Sequence, residues 1–277
     1  HENFTVEMRV TSYEVDNTGT PIPGVAGAES STSVVVDVAA VTDPVSLSFD
    51  DDTDTRSLSI NEDSTYDLAA ALKVEYPDND GNSLPDVDGS EERWFEIAGL
   101  PEGSTVTTAD GVIVVTAANP VVTVPAGGLS TSATGLPQMD ITPPADYSGA
   151  AVAVTVTLKA QDRDADSSGA TPVVEQDSVT LNLQVDPVAD APDVEGVTTP
   201  EDTAVNFLAN VSPGDTDGSE ELTGITIKDI PAGWVIEDHE GNPLTPSGSQ
   251  LVIDPTDVLS GDYKSYTIKA PDHSSLD

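Results

Sequence analysis

Alternation of apolar and polar residues is the dominant pattern along the chain. Val154-Thr155-Val156-Thr157-Leu158-Lys159 and Val179-Thr180-Leu181-Asn182-Leu183-Gln184-Val185 put their side chains on two faces in turn, as do Phe4-Thr5-Val6-Glu7-Met8-Arg9 and Leu222 to Ile227. A period of two predicts β-strands with one face buried. Val34 to Val41 is a further strand-like run, and Ala69-Ala70-Ala71-Leu72 predicts one short helical turn. No stretch carries a long apolar stripe at helical spacing. The 21 Gly and 21 Pro fall mainly between the runs, as turn residues do. These elements predict an all-β chain of tandem immunoglobulin- or cadherin-like β-sandwiches arranged end to end. With aromatic residues at 4%, each core must rest on Val, Ile and Leu.

The elements also recur in order. Asp43-Pro44-Val45 returns 143 residues on as Asp186-Pro187-Val188. Asn61-Glu62-Asp63 matches Pro200-Glu201-Asp202, and Asp86-Val87-Asp88-Gly89-Ser90-Glu91-Glu92 matches Asp215-Thr216-Asp217-Gly218-Ser219-Glu220-Glu221. Phe95-Glu96-Ile97-Ala98-Gly99-Leu100-Pro101 then parallels Ile225-Thr226-Ile227-Lys228-Asp229-Ile230-Pro231. So many correspondences in one order mark a repeat. Residues 47–187 read as one complete module, 1–46 as the C-terminal strands of a preceding module, and 188–277 as the N-terminal part of the next. The strands at Phe4 to Val10 and Val34 to Val41 correspond to Val154 to Ala160 and Val179 to Val185. They are therefore expected not to fold alone, and their natural complement is a segment equivalent to 199–277.

Charge narrows the function. The chain has 50 acidic and 9 basic residues, a net charge of −41. Binding nucleic acid depends on Lys and Arg displacing counterions, so nucleic acid is excluded as a partner. No apolar run approaches the roughly 20 residues of a membrane-spanning helix, and membrane insertion is not expected. So much negative charge opposes a compact fold unless cations neutralise it. Cysteine is absent, so thiolate metal sites and disulfides play no part.

Hard oxygen donors in turning loops suit calcium, which takes six to eight oxygens. Asp86, Asp88 and Glu91, and in the next module Asp215, Asp217 and Glu220, form D-x-D-G-S-E loops in which Asp at i and i+2 can aim at one point and Gly permits the bend. A second acidic group is expected at the module junction: Asp186, Asp190 and Asp193 in the connector, Glu201 and Asp202 opening the next module, and Asp162, Asp164 and Asp166 in another acidic loop. The earlier junction offers Asp43, Asp50, Asp51, Asp52, Glu62 and Asp63. Two such charges 4 Å apart repel by about 4 kcal/mol at an effective dielectric of 20. A shared Ca2+ would turn that repulsion into a rigid joint.

Catalysis finds no support. None of His1, His239 and His273 has a His or Cys partner at zinc spacing, and no nucleophile elbow, P-loop or dinucleotide fingerprint occurs. Trp94 and Trp234 follow the D-x-D-G-S-E loops among strand residues and are expected to pack in the cores. No enzyme activity is expected.

The 143-residue period, the D-x-D-G-S-E-E loop followed by I-x-G-L-P or I-x-D-I-P, the Ile141-Thr142-Pro143-Pro144-Ala145-Asp146-Tyr147-Ser148-Gly149 segment and the Asp186-to-Pro192 connector together resemble the tandem repeats of giant RTX-type adhesins, exported by type I secretion in Gram-negative bacteria. The resemblance covers essentially the whole chain. It implies cadherin-like, calcium-binding extender modules on the cell surface, acting in biofilm or host attachment. Their partners would be neighbouring repeats of the same polypeptide, or identical copies in a filament. The second module departs from the fuller pattern at Asp262-Tyr263 and Pro271-Asp272-His273-Ser274. The alternative is a carbohydrate- or protein-binding β-sandwich module.

Overall fold

The computed structural model describes residues 4–36, 42–75, 91–126, 136–163, 173–200 and 202–272. The chain forms two compact units, one of residues 1–58, 65–142 and 152–183, the other of 59–64, 143–151 and 184–277. The second unit thus takes in two short segments that lie, in sequence, inside the predicted complete module.

The strands of the first unit are β1 (Phe4–Ser12), β2 (Ala28–Val36), β3 (Ser46–Phe49), β4 (Thr55–Asn61), β5 (Tyr66–Asp67), β6 (Leu72–Glu75), β7 (Glu91–Ala98), β8 (Thr105–Thr108), β9 (Gly111–Val114), β10 (Val121–Pro125), β11 (Asp140–Thr142), β12 (Gly149–Asp162) and β13 (Glu175–Asp186). The expected helical turn is a 3-10 turn at Ala69–Ala71. One sheet has the order β10-β7-β12-β13-β4 and another β5-β11-β8-β9, while β3 pairs with β6. Alternation explains the packing: Val154, Val156, Leu158 and Ala160 of β12 and Val179, Leu181, Leu183 and Val185 of β13 are buried, with polar residues between them. Phe95 and Ile97 of β7 are fully buried, as are Val106 and Ile141 of the four-stranded sheet. The result is a β-sandwich with an aliphatic core.

The same parity corrects one expectation. With Phe95 and Ile97 inward, Trp94 and Glu96 face outward, so Trp94 is half-buried outside the core and donates its indole N–H to Glu96 at 3.1 Å. Trp234 does pack against a core, that of the second unit.

β1 and β2 pair only with each other among the described residues, antiparallel from Phe4↔Val36 to Ser12↔Ala28. All nine residues of β1 are exposed.

The second unit contains β14 (Asp193–Val194), β15 (Val205–Asn206), β16 (Val211–Ser212), β17 (Thr226–Ile227), β18 (Val235–Glu237), β19 (Pro243–Leu244), β20 (Leu251–Val252), helix α1 (Pro255–Ser260) and β21 (Thr267–Lys269). Asp254 caps α1 by accepting from the Thr256 amide, and Gly261, at φ 82°, ends it; only glycine adopts that left-handed geometry at no steric cost. Strand order reproduces the repeat. β15-β21-β18-β19 follows the order β5-β11-β8-β9, β17-β20 matches β7-β10, and β14-β16 matches β3-β6. Leu208, Val211, Ile230, Ile236, Leu251, Ile253, Val258, Tyr263 and Tyr266 form its core. The buried Tyr263 hydroxyl donates to the Val211 carbonyl at 2.8 Å. The strand expected over Leu222 to Ile227 is realised only at Thr226–Ile227, because β20 supports one edge and no described strand pairs with the other.

Candidate metal centre

A strand delivers a residue from one end of a sandwich to the other, and β4 does this for Glu62. Seven residues at about 3.3 Å each span roughly 23 Å. β4 lies beside β13, so it ends where β13 ends, and the Glu62 amide donates to the Asp186 carbonyl at 2.9 Å. Glu62 and Asp63 therefore do not join the earlier acidic group around Asp43 to Asp52, where the sequence order placed them. There the protein supplies its own cations: Arg56 pairs with Asp50 and Asp51, and Lys73 with Asp52.

Glu62 instead meets the second D-x-D-G-S-E loop, all within the second unit. Single oxygens from Glu62, Asp215 and Asp217 lie within 4.8 Å of one another, and so do single oxygens from Asp63, Asp146 and Asp190. The loop is built as its sequence suggests. Asp215 accepts the Asp217 amide at 2.9 Å and the Ser219 hydroxyl at 2.6 Å, and Asp217 accepts the Ser219 amide at 2.7 Å. Gly218 makes the bend at φ 89°. Glu220 closes it, binding the Asp190 amide and, at 3.4 Å, the Asp215 amide. Asp63 and Asp146 both hold the left-handed backbone, at φ 54° and 55°, and the Asp146 amide donates to Asp63 at 3.3 Å.

Electrostatics single out Glu62. Only 5% of it is exposed. One carboxylate oxygen accepts the Val188 amide; the other is buried with no hydrogen-bond partner. The Val188 hydrogen bond pulls the Glu62 pKa down, but burial and the charges of Asp215, Asp217 and Asp63 outweigh it and push the pKa above its ordinary value. Asp190 is raised too, by burial and then by Asp63, Glu220, Asp146 and Asp215. Asp217 moves the other way, to about 2, because the Ser148 hydroxyl and amide, each at 2.8 Å, and the Ser219 amide stabilise its charge. A buried carboxylate oxygen without a partner carries a large desolvation cost. A hard cation would satisfy it, and an all-oxygen donor set fits calcium.

The other sequence candidates are placed as follows. Asp186 accepts the Ser59 hydroxyl and belongs to neither oxygen group. Asp202 repeats the left-handed backbone of Asp63, at φ 60°, and interacts with Asp272. Glu91 binds the Asp43 amide at 2.5 Å and pairs with the buried Arg93. Asp162 is buried, its amide donating to the Thr42 hydroxyl at 3.1 Å. Asp86, Asp88, Asp164, Asp166 and Glu201 lie outside the described residues.

The Glu91–Asp43 contact corrects the repeat register, because its counterpart is Glu220–Asp190. Asp43 is structurally equivalent to Asp190, and the Asp-Pro-Val match to Asp186 sits four residues away. Sequence reasoning passed over Asp146 and Ser148 as site residues. Their signal was present in the I-T-P-P-x-D-Y-S-G segment, whose polar residues no strand core requires.

No protein-family model matches the chain, and no curated protein matches it. Among solved structures the chain is similar to the major pilin subunit of Bacillus cereus, at 10% identity and a TM-score of 0.25, over 91% of this chain and 81% of that one. A likeness that loose assigns no activity. No helix among the described residues is long and apolar enough to cross a membrane.

Proposed function

We propose that the chain is a calcium-stiffened extender segment of an extracellular bacterial surface adhesin, without catalytic activity of its own. The observation that carries the reading is the buried, unpartnered oxygen of Glu62 among the carboxylates of Asp215 and Asp217. Ca2+ would be held there by Glu62, Asp215 and Asp217, and a second ion by Asp63, Asp146 and Asp190. The connector runs through this centre: the Val188 amide is bound by Glu62 and the Asp190 amide by Glu220. Fixing these carboxylates fixes the connector, which is what a stiff spacer requires. The aliphatic sandwich and the charge of −41 suit a soluble stalk outside the cell, and the resemblance to RTX-type adhesin repeats supports a Gram-negative surface location and type I export.

Small-angle scattering in calcium and in chelator tests the reading. A long particle in calcium that becomes more flexible in chelator supports it. An unchanged profile, together with saturable binding of a glycan or a protein, would favour the binding-module alternative.

A further inference from the structure

In the first unit β9 is an open edge. It closes the four-stranded sheet β5-β11-β8-β9, pairs with β8 and has no other strand partner among the described residues. Main-chain groups alternate between the two sides of a strand in an antiparallel pair. The Val115 amide, just past β9, donates to the Ser104 carbonyl at 2.8 Å, on the β8 side. Gly111 and Ile113 share that parity, so the amides and carbonyls of Val112 and Val114 are directed away from β8. These two valines are 61% and 50% exposed.

The sequence of this edge departs from the rest of the chain. Charged residues make up 21% of the whole, yet residues 111–139 contain no charged side chain and no histidine. That stretch includes both β9 and β10, the outer strand of the five-stranded sheet. The second unit treats the equivalent edge differently. β19, in the place of β9, is two residues long, begins with Pro243 and follows a turn carrying Asp238, His239 and Glu240. A proline that cannot donate and flanking charge are devices that keep a sheet edge from pairing. β9 carries neither along its length.

We propose that β9 pairs edge to edge with β9 of a second copy, antiparallel, joining the two four-stranded sheets into one continuous sheet. The contact lies within the first unit and does not depend on the calcium reading.

The strand is complementary to itself. With Ile113 on the two-fold axis, Val112 of each copy lies opposite the partner's Val114, and both present the outward amides and carbonyls that the pair needs. An axis perpendicular to the sheet keeps all these valines on one face, where they cover one another. The same patch serves both copies, so the contact is isologous and closes at a dimer. Charge selects the partner. Copies with a net charge of −41 repel one another over most of their surface, and they touch at low electrostatic cost only where neither carries charge. A cationic partner would be drawn to the acidic loops instead. The contact is small and belongs to the weak, reversible class.

The absence of cysteine lets V112C and V114C report the register. Residues in a hydrogen-bonded antiparallel pair lie about 5.5 Å apart, within disulfide reach, whereas two copies of position 112 are offset along the strands. Under mild oxidation a mixture of V112C and V114C chains should form a heterodimer at least tenfold faster than either variant forms a homodimer. Sedimentation of the parent chain should show a monomer–dimer equilibrium that shifts toward dimer with concentration. Salt should shift it the same way, because screening weakens the repulsion and no ion pair spans the contact. V114P, which removes an outward amide, and V114E should each lower the dimer fraction at least tenfold. V252E, a new charge on another exposed valine, should leave it unchanged. Melting curves matching the parent confirm that the variants fold, and if V114P fails that check V114E decides alone. Equal rates for the three cysteine pairings, or a parent chain monomeric at all concentrations, would overturn the proposal. So would a dimer that V114E leaves intact or that salt dissociates.

Discussion

Ile97 and Ile227 stand at the same position of the same strand in the two halves of the repeat, and they differ in what surrounds them. Ile97 lies on β7 between β10 and β12 and is fully buried. Ile227 lies on β17, bonded on one edge to β20, and remains partly exposed at the margin of its core. The amino acid is identical and the flanking alternation is similar. Burial therefore comes from the neighbouring strands, and the pattern along one segment only makes that segment eligible for it.

The largest expected effect breaks this comparison directly. I97A should cost about 2–5 kcal/mol, the usual range for emptying a filled aliphatic site. I227A should cost roughly half as much, since part of that side chain is already in water. Calorimetric melting of the two variants checks this, and equal losses would mean that the second core is as complete as the first.

Next in size is the metal. Saturating calcium at 100 times its dissociation constant should add about 2.7 kcal/mol per site, chiefly to the second unit, where the described oxygen groups lie. In the first unit Glu91, the counterpart of the loop-closing Glu220, is already paired with Arg93. A calcium shift confined to the first unit's transition would reverse the assignment.

A third contrast concerns Gly99 and Asp229. Gly99 adopts φ 88° and packs against the Ala153 carbonyl, so G99A should destabilise by about 1–3 kcal/mol. Asp229 holds φ 56°, and D229G should be neutral or mildly stabilising, because glycine takes that backbone freely. Thermal melts of the two variants measure the difference.

These contrasts also explain what the sequence made legible. β12 and β13 were readable because each alternates over many residues and is buried on one face throughout. The stretch from Leu222 to Ile227 alternates as well, yet only two of its residues form a strand, since a strand needs a partner that the pattern does not name. The acidic loop around Gly218 was readable because its closure is local. Glu62 was recognised as a candidate but assigned to the wrong group: sequence neighbourhood suggested Asp43 to Asp52, whereas β4 carries it to the opposite end. Asp146 and Ser148 were named within a recurring segment but not as site residues, because they reach the loop across 69 or more residues.

The smallest effect expected is a pH dependence of opposite sign with and without metal. Glu62 and Asp190 have raised pKa values, above their ordinary 4.5 and 3.8. In chelator their contribution to stability is full below the ordinary values and is lost as pH rises through the raised ones, so the second unit should melt higher near pH 5 than at pH 7. With calcium the same acidification should lower the melting temperature, because protons compete with the ion for the carboxylates. Asp217 acts at more acidic pH, its contribution being lost only as pH falls from 3.8 toward about 2.

Titration calorimetry of chelator-stripped protein with calcium, comparing the parent chain with E62Q, tests the central claim most directly. The account predicts binding in the parent at roughly 0.1–1 mM, the range of extracellular calcium modules, and the loss of at least one site in E62Q. E62Q should also melt no lower than the parent in chelator, since the substitution removes an uncompensated buried charge. Identical isotherms for the two proteins, or no calcium heat in the parent, would contradict it.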